Sequence, residues 1–77
     1  MIHQLTALCS CGRPWAESRA QMALMFYNQR QSGLLDESEY RELLEDLVRS
    51  DRLEAEADDL ETKTLLVNCI YAASQVV

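Results

Sequence analysis

The chain has 77 residues, a mass of 8.8 kDa and a net charge of −6 at pH 7. This length fits a single domain, 1–77, whose core supplies only about 3–5 kcal/mol of stability by itself, so a metal, a cross-link or a partner chain is an expected addition. The acidity argues against direct binding to nucleic acid or to an anionic membrane, because both need clustered Lys and Arg side chains.

The N-terminal segment, about 14 residues long, contains two of the three cysteines. It lacks the basic and apolar regions of a signal peptide. No apolar run reaches the roughly 18 residues that a membrane-spanning helix needs. We therefore expect a cytoplasmic protein that does not enter a membrane, and in a reducing cytosol its cysteines are free thiols or metal ligands.

Four side chains are of the types that zinc prefers, and together they would complete one tetrahedral site. They are His3, Cys9, Cys11 and Cys69. A small zinc-stabilised module is therefore an alternative to a protein without a cofactor. Against zinc, the Cys-x-Cys spacing differs from the usual zinc knuckle, and Cys69 has the apolar neighbours of a core thiol.

The first predicted helix covers residues 15–32. Pro14 suits its entry, and Gly33 suits a left-handed C-cap that ends it. Aromatic and methionine side chains at helical spacing are most often core residues, but methionines can also form an adaptable binding surface, and a Trp at a helix start can anchor an interface. The interface residues predicted on this helix are Trp15, Met22, Met25 and Phe26.

The second predicted helix covers residues 36–50 and has the clearest local signature. Asp36 and Glu39 form a capping box, and Leu35 and Tyr40 occupy the positions of a hydrophobic staple. Apolar residues then recur on one helical face, and acidic and basic residues four apart form possible ion pairs on another. The apolar residues are Tyr40, Leu43, Leu44, Leu47 and Val48, and the charged ones are Glu37, Arg41, Glu45 and Arg49.

The turn between these two helices and the start of the second follow a known pattern. It reads Ser32-Gly33-Leu34-Leu35-Asp36-Glu37-Ser38-Glu39-Tyr40-Arg41-Glu42-Leu43-Leu44. Residues 29–48 thereby resemble the helical hairpin called SHOCT, which implies a role in oligomerisation, although SHOCT segments usually end larger proteins and a third helix follows here. In size and style, the chain is also similar to small acidic helical proteins of tailed bacteriophages, which would place it in the bacterial host cytoplasm. Neither resemblance assigns a function to a residue.

The acidic charge is concentrated in the middle of the chain, because residues 36–61 carry −9, whereas residues 1–35 carry +2 and residues 62–77 carry +1. Its densest part is the connection to the third predicted helix, a short polar segment with a candidate helical turn around Leu53. The carboxylates there are Glu54, Glu56, Asp58, Asp59 and Glu61. Such a run is most often a solvated face that keeps a small apolar protein soluble. The alternative is an acidic docking surface that imitates phosphates and occupies a basic nucleic-acid-binding site of an enzyme.

The third predicted helix covers residues 58–77 and opens at Asp58 or Asp59, with Asp58 and Glu61 as a second candidate capping box. From Leu65 onward it is apolar on nearly every side, which is typical of a buried helix. Two other short helices would cover about two thirds of its circumference, so the N-terminal segment or another chain must cover the rest. The interface residues predicted here are Leu66, Ile70, Ala73 and Val77.

These elements predict an all-α fold, a compact three-helix bundle. The sequence offers no nucleophile–base pair, no phosphate-binding loop and no acid–base constellation, so we expect a protein that is not an enzyme. The leading hypothesis is a small interaction or oligomerisation module, such as a phage accessory protein, that binds a larger protein or a second copy through the apolar third helix and the surface of Trp15, Met22 and Met25. The alternatives are an acidic inhibitor of a nucleic-acid enzyme and a zinc-stabilised module.

Overall fold

The computed structural model describes residues 2–49 and 51–75, with the side chains of residues 2, 51 and 52 excepted. Over these residues the chain forms five helices and no strand, which confirms the all-α class. The helices are α1 (Ile2–Leu8), α2 (Pro14–Gln31), α3 (Glu37–Arg49), α4 (Asp51–Glu56) and α5 (Leu60–Ser74). Within the described part of the chain, none of them has the length and apolarity needed to cross a membrane.

The prediction of a three-helix bundle is incomplete, because the described residues form two short helices in addition to the three predicted ones. The predicted helices 15–32, 36–50 and 58–77 correspond to α2, α3 and α5. The connection around Leu53 forms α4, which packs against α3, and most of the N-terminal segment forms α1, which packs against both α2 and α5. The assembly measures 35 × 24 × 16 Å along its principal axes.

Gly33 ends α2 as the sequence predicts. Its φ of +83° lies in the left-handed region, which glycine adopts without a steric penalty. The Gly33 amide donates to the Arg30 carbonyl (3.2 Å), and the Leu34 amide donates to the Gln29 carbonyl (2.9 Å). This pair of bonds is a Schellman motif, and it holds the backbone of Leu34 beside the last turn of α2.

The capping box at the start of α3 is confirmed. The Glu39 amide donates to Asp36 Oδ1 (2.8 Å), and the Asp36 amide donates to Glu39 Oε1 (3.2 Å). Along the helix, Arg41 pairs with Glu37 at 2.9 Å and Arg49 pairs with Glu45. Both pairs follow the predicted four-residue spacing.

The predicted capping box at the start of α5 is wrong by one residue. Asp59, and not Asp58, is the N-cap, and its Oδ2 accepts from the Thr62 amide (2.9 Å) and from the Thr62 hydroxyl. These two hydrogen bonds hold the pKa of the Asp59 carboxyl below its usual range, and the Arg13 guanidinium lowers it further. The Asp58 carboxylate instead accepts hydrogen bonds from Arg13 and Trp15 at the start of α2.

The N-terminal segment packs on α5 beside the two long helices, while Leu60, Leu65 and Tyr71 of α5 stay exposed. Leu5 and Leu8 of α1 are buried, and they join one core with residues of all the other helices. This packing corrects five of the predicted interface residues, which lie in the chain's own core and not on its surface. They are Trp15, Phe26, Leu66, Ile70 and Ala73. Val77, the last residue of the predicted set, lies outside the described residues.

Polar side chains complete the ends of the long helices. The buried Tyr40 hydroxyl donates to the Ala73 carbonyl (2.8 Å), and Arg41 Nε donates to the Ser74 carbonyl (3.2 Å), so α3 satisfies the last carbonyls of α5. Burial raises the pKa of Tyr40, which keeps its hydroxyl a donor. Arg19 satisfies a carbonyl near the end of α3, because its Nε donates to the Leu47 carbonyl at 3.1 Å.

Candidate protein-docking groove

The outward side of α2 carries no charge. The charged residues of this helix lie elsewhere: the Arg19 side chain is only 13% exposed, and Glu17 and Arg30 are half-buried. The exposed positions between 18 and 31 are Ser18, Gln21, Met22, Met25, Asn28 and Gln31. In a chain with a net charge of −6, a helix face of this composition resembles the centre of a protein interface, which is depleted of charge and enriched in methionine.

A groove of about 640 Å³ lies along this side of α2, and we call it the α2 groove. The helix supplies most of its lining, Cys9 contributes from just after α1, and Leu34 contributes from just after α2. The eight lining residues are all uncharged: Cys9, Gln21, Leu24, Met25, Asn28, Gln29, Ser32 and Leu34. Three segments of the chain therefore form one apolar and amide-lined surface.

Large apolar side chains in and beside the α2 groove contact water. Leu34 is 74% exposed, Met25 is 47% exposed and the adjacent Met22 is 40% exposed. Apolar surface removed from water gains about 25 cal/mol per Å², so a partner that covers these side chains would be stabilised on this face. The Schellman motif at Gly33 explains how Leu34 comes to stand there.

Two further grooves differ from the α2 groove in charge. One lies between α2, α3 and α4 and has Arg19, Asp46 and Glu56 in its lining. The other is lined by five residues of α5, among them the acidic Glu61 and the exposed Leu60. Neither combines an uncharged lining with contributions from several segments of the chain.

The acidic run predicted as an alternative docking surface is mostly engaged within the chain. Glu54 pairs with Lys63, Glu56 pairs with Arg19 (3.2 Å), and Asp59 caps α5. Glu61, the last carboxylate of the run, lies exposed in the first turn of α5. Basic side chains of the same chain thus neutralise part of the surface that would face a basic partner.

Asp58 links the start of α2 to the segment before α5. Its Oδ1 accepts from Trp15 Nε1 (3.1 Å) and from Arg13 Nη1 (3.0 Å), and Arg13 Nε also lies 3.7 Å from Asp59 Oδ2. Trp15, predicted as an interface anchor, is therefore an internal anchor whose indole is 8% exposed and hydrogen-bonded inside the chain. The acidic run and the tryptophan serve the fold at this point.

The four predicted zinc ligands are not gathered into one site in the described part of the chain, where no three His, Cys, Asp or Glu side chains are placed to hold a metal. His3 and Cys11 are exposed, while Cys9 is half-buried and Cys69 is buried. The Cys69 thiol donates to Gln4 Oε1 of α1 at 3.5 Å. Burial raises the pKa of both the Cys9 and the Cys69 thiol, which disfavours the thiolate that metal binding or nucleophilic chemistry requires.

Sequence reasoning found Met25 of the α2 groove and the adjacent Met22, which lines the groove between α2, α3 and α4, and it missed the other parts of the α2 groove. Leu34 and Cys9 join the surface only through the turn at Gly33 and the packing of α1 on α2. A signal for the face was present in the sequence, because the polar residues that lie three, four or seven positions from Met25, and so share its side of the helix, are uncharged. They are Ser18, Gln21, Asn28, Gln29 and Ser32.

Comparisons with known proteins give no further guide to the site. The chain matches no family model, no curated protein and no solved structure. The SHOCT resemblance of residues 29–48 and the resemblance to phage proteins therefore stay predictions. Any function must be argued from the geometry of the site itself.

Proposed function

We propose that this protein is a non-enzymatic interaction module that docks on another protein chain through the α2 groove. The observation that carries the proposal is the uncharged groove with Met25 and Leu34 exposed in it, on a chain whose net charge is −6. The implied oligomerisation role of the SHOCT-like segment points in the same direction. Leu34, the most exposed of the groove residues with a quoted exposure, belongs to that segment.

The physical chemistry of the groove fits a protein partner. Methionine side chains adapt to different partner shapes, and fully burying one such side chain contributes about 1.5–3 kcal/mol. The amides of Gln21 and Asn28 supply donors and acceptors at the border of the apolar surface. A partner that contacts this face would meet no lining charge that has to be desolvated.

The two alternative functions have less support from the geometry. An acidic inhibitor would present free carboxylates, but those of Glu54, Glu56, Asp58 and Asp59 are engaged in ion pairs or a helix cap. A zinc module would gather its ligands, which the described residues do not do. Docking through the α2 groove is the function to test first.

Site-specific photo-cross-linking in the cells that make the protein tests the proposal. A photoreactive phenylalanine analogue replaces Met25 in the groove, and in a matched variant it replaces Gln31, which is exposed on the same helix but does not line the groove. A third variant places it at Thr64 in the α5 groove. We expect a discrete covalent adduct with a protein from position 25 and little or none from positions 31 and 64.

Circular dichroism of the purified variants establishes that all three are folded. Adducts of equal yield from all positions, or no adduct from position 25, would contradict the proposal. An adduct from position 64 alone would move the docking surface to α5.

A further inference from the structure

We infer that the α2 groove binds a second copy of this chain, with the two α2 helices antiparallel and related by a two-fold axis at Met25. This inference rests on the proposed function and names its partner. The observation behind it is a palindrome on the exposed stripe of α2. Counted outward from Met25, two pairs of residues are identical: Gln21 and Gln29 at four residues, and Ser18 and Ser32 at seven, with Ser32 directly after the end of α2. The residues at three, Met22 and Asn28, differ in type.

The spacing of the palindrome places all of these residues on one face of the helix. Steps of three, four and seven residues return to the same side of an α-helix, and Met25 stands at the middle of the stripe. In an antiparallel pair with a two-fold axis at Met25, each residue faces the residue at the same distance on the other side. Gln21 then faces Gln29 of the second copy, and Ser18 faces its Ser32.

The glutamine pair and the serine pair are each self-complementary, which a two-fold interface requires because both chains contribute the same surface. A glutamine carries both donors and an acceptor, so two glutamines can bond to each other, and the same holds for two serines. Met25 meets Met25 in an apolar contact at the axis. A charged residue on the axis would instead face its own like charge.

Charge also favours a copy over an oppositely charged partner at this groove. Two chains of net charge −6 repel each other, so they can approach closely only through a face without acidic residues. The lining of the α2 groove meets that condition, whereas Ser18 and Met22 at the N-terminal end of the stripe line the neighbouring groove, which also holds Arg19, Asp46 and Glu56. A basic partner, by contrast, would find no carboxylate in the lining to pair with.

The size of the face sets the expected strength of the pairing. The 18 residues of α2 extend about 27 Å, and a single helix pair buries less than the roughly 800 Å² per partner of a standard stable interface. We therefore expect a dimer that forms with rising concentration and dissociates on dilution. Sedimentation velocity over a concentration series should show monomer passing to dimer and no larger species.

Disulfide trapping tests the antiparallel register. In a background with Cys9→Ser, Cys11→Ser and Cys69→Ala, we introduce Met25→Cys and oxidise mildly with oxidised glutathione. We expect a covalent dimer to form at least tenfold faster than for the matched variant Gln31→Cys. Circular dichroism and a urea melt of each variant establish that the background still folds.

A mixing experiment separates antiparallel from parallel pairing. A chain with Gln21→Cys mixed with a tagged chain carrying Gln29→Cys should give the mixed dimer. Gln21→Cys alone should give little dimer, because the two copies of residue 21 stand about 12 Å apart along an antiparallel pair, beyond the roughly 7 Å between Cα atoms that a disulfide spans.

The outcomes distinguish this inference from the proposed function. Equal trapping of Met25→Cys and Gln31→Cys, or fast trapping of Gln21→Cys with itself, overturns the antiparallel dimer. If photo-cross-linking at position 25 yields an adduct with a different protein while no disulfide dimer forms, the second copy is wrong and docking through the groove stands. If position 25 yields no adduct of any mass and no disulfide dimer, both proposals fail.

Discussion

Single residues tie the long helices together, and Tyr40 is the clearest example. Its ring is fully buried, and its hydroxyl reaches across the core to the Ala73 carbonyl at the end of α5. A buried carbonyl that loses such a donor has neither a protein partner nor water to bond with, so its desolvation is no longer compensated. The sequence predicted Tyr40 as an apolar residue of the second helix, but its polar partner lies 33 positions away, and no local pattern could identify it.

The Tyr40 bond gives a test of this packing. Tyr40→Phe removes only the hydroxyl, so we expect the free energy of unfolding in urea to fall by about 1–2 kcal/mol with an unchanged m-value. Tyr71→Phe is the matched control, because Tyr71 is 47% exposed on α5. Removing its hydroxyl should change the free energy of unfolding by less than about 0.5 kcal/mol. Equal effects of the two substitutions would show that the bond contributes nothing to stability.

Helix ends are the features that the sequence predicted best. The capping box of Asp36 and Glu39 and the C-cap at Gly33 both form as expected, because each depends on residues within six positions of one another. The start of α5 was predicted at Asp58 or Asp59, because both are good caps, and only the tertiary pairing of Asp58 with Arg13 and Trp15 separates them.

The two short helices could be predicted only in part. Helix α1 has seven residues, below the length at which an isolated helix is stable, and it forms because Leu5 and Leu8 pack into the core. Helix α4 was expected as no more than a turn around Leu53. Helix α1 packs against both α2 and α5, so the missed helix accounts for part of the error in the predicted interface.

Gly33 allows a test at the level of an element. Gly33→Ala keeps the space around the residue, since no atom lies within 4 Å of an added Cβ, but it forces an L-residue into a φ of +83°. We expect a loss of about 1–2 kcal/mol in the free energy of unfolding, measured by urea denaturation. Gly33→Asn should lose less, because Asn tolerates the left-handed region better than Ala does. Equal stability of wild type and Gly33→Ala would contradict the Schellman assignment.

At the scale of the molecule, an acidic exterior is combined with an uncharged face on α2. Its acidity, concentrated in residues 36–61, is partly paired with Arg13, Arg19 and Lys63, and these pairs hold α4 and the start of α5 to the rest of the bundle. The interface residues predicted on α5 within the described part of the chain are internal, because α1, α2 and α3 all pack against this helix. Large apolar side chains are exposed on both α2 and α5: Met22 and Met25, two of the predicted residues, on α2, and Leu60, Leu65 and Tyr71 on α5. The groove on α2 differs in having an uncharged lining.

The central claim is that this outer side of α2 pairs with a second copy. Nitrogen–proton NMR spectra of the labelled protein, recorded over a dilution series from millimolar to micromolar concentration, test it most directly. We expect concentration-dependent shifts confined to the amides of the stripe around Met25 and of Leu34, and their loss in Met25→Glu but not in the matched Gln31→Glu. Spectra that do not change with concentration, or shifts centred on Leu60 and Thr64 of α5, would contradict the claim.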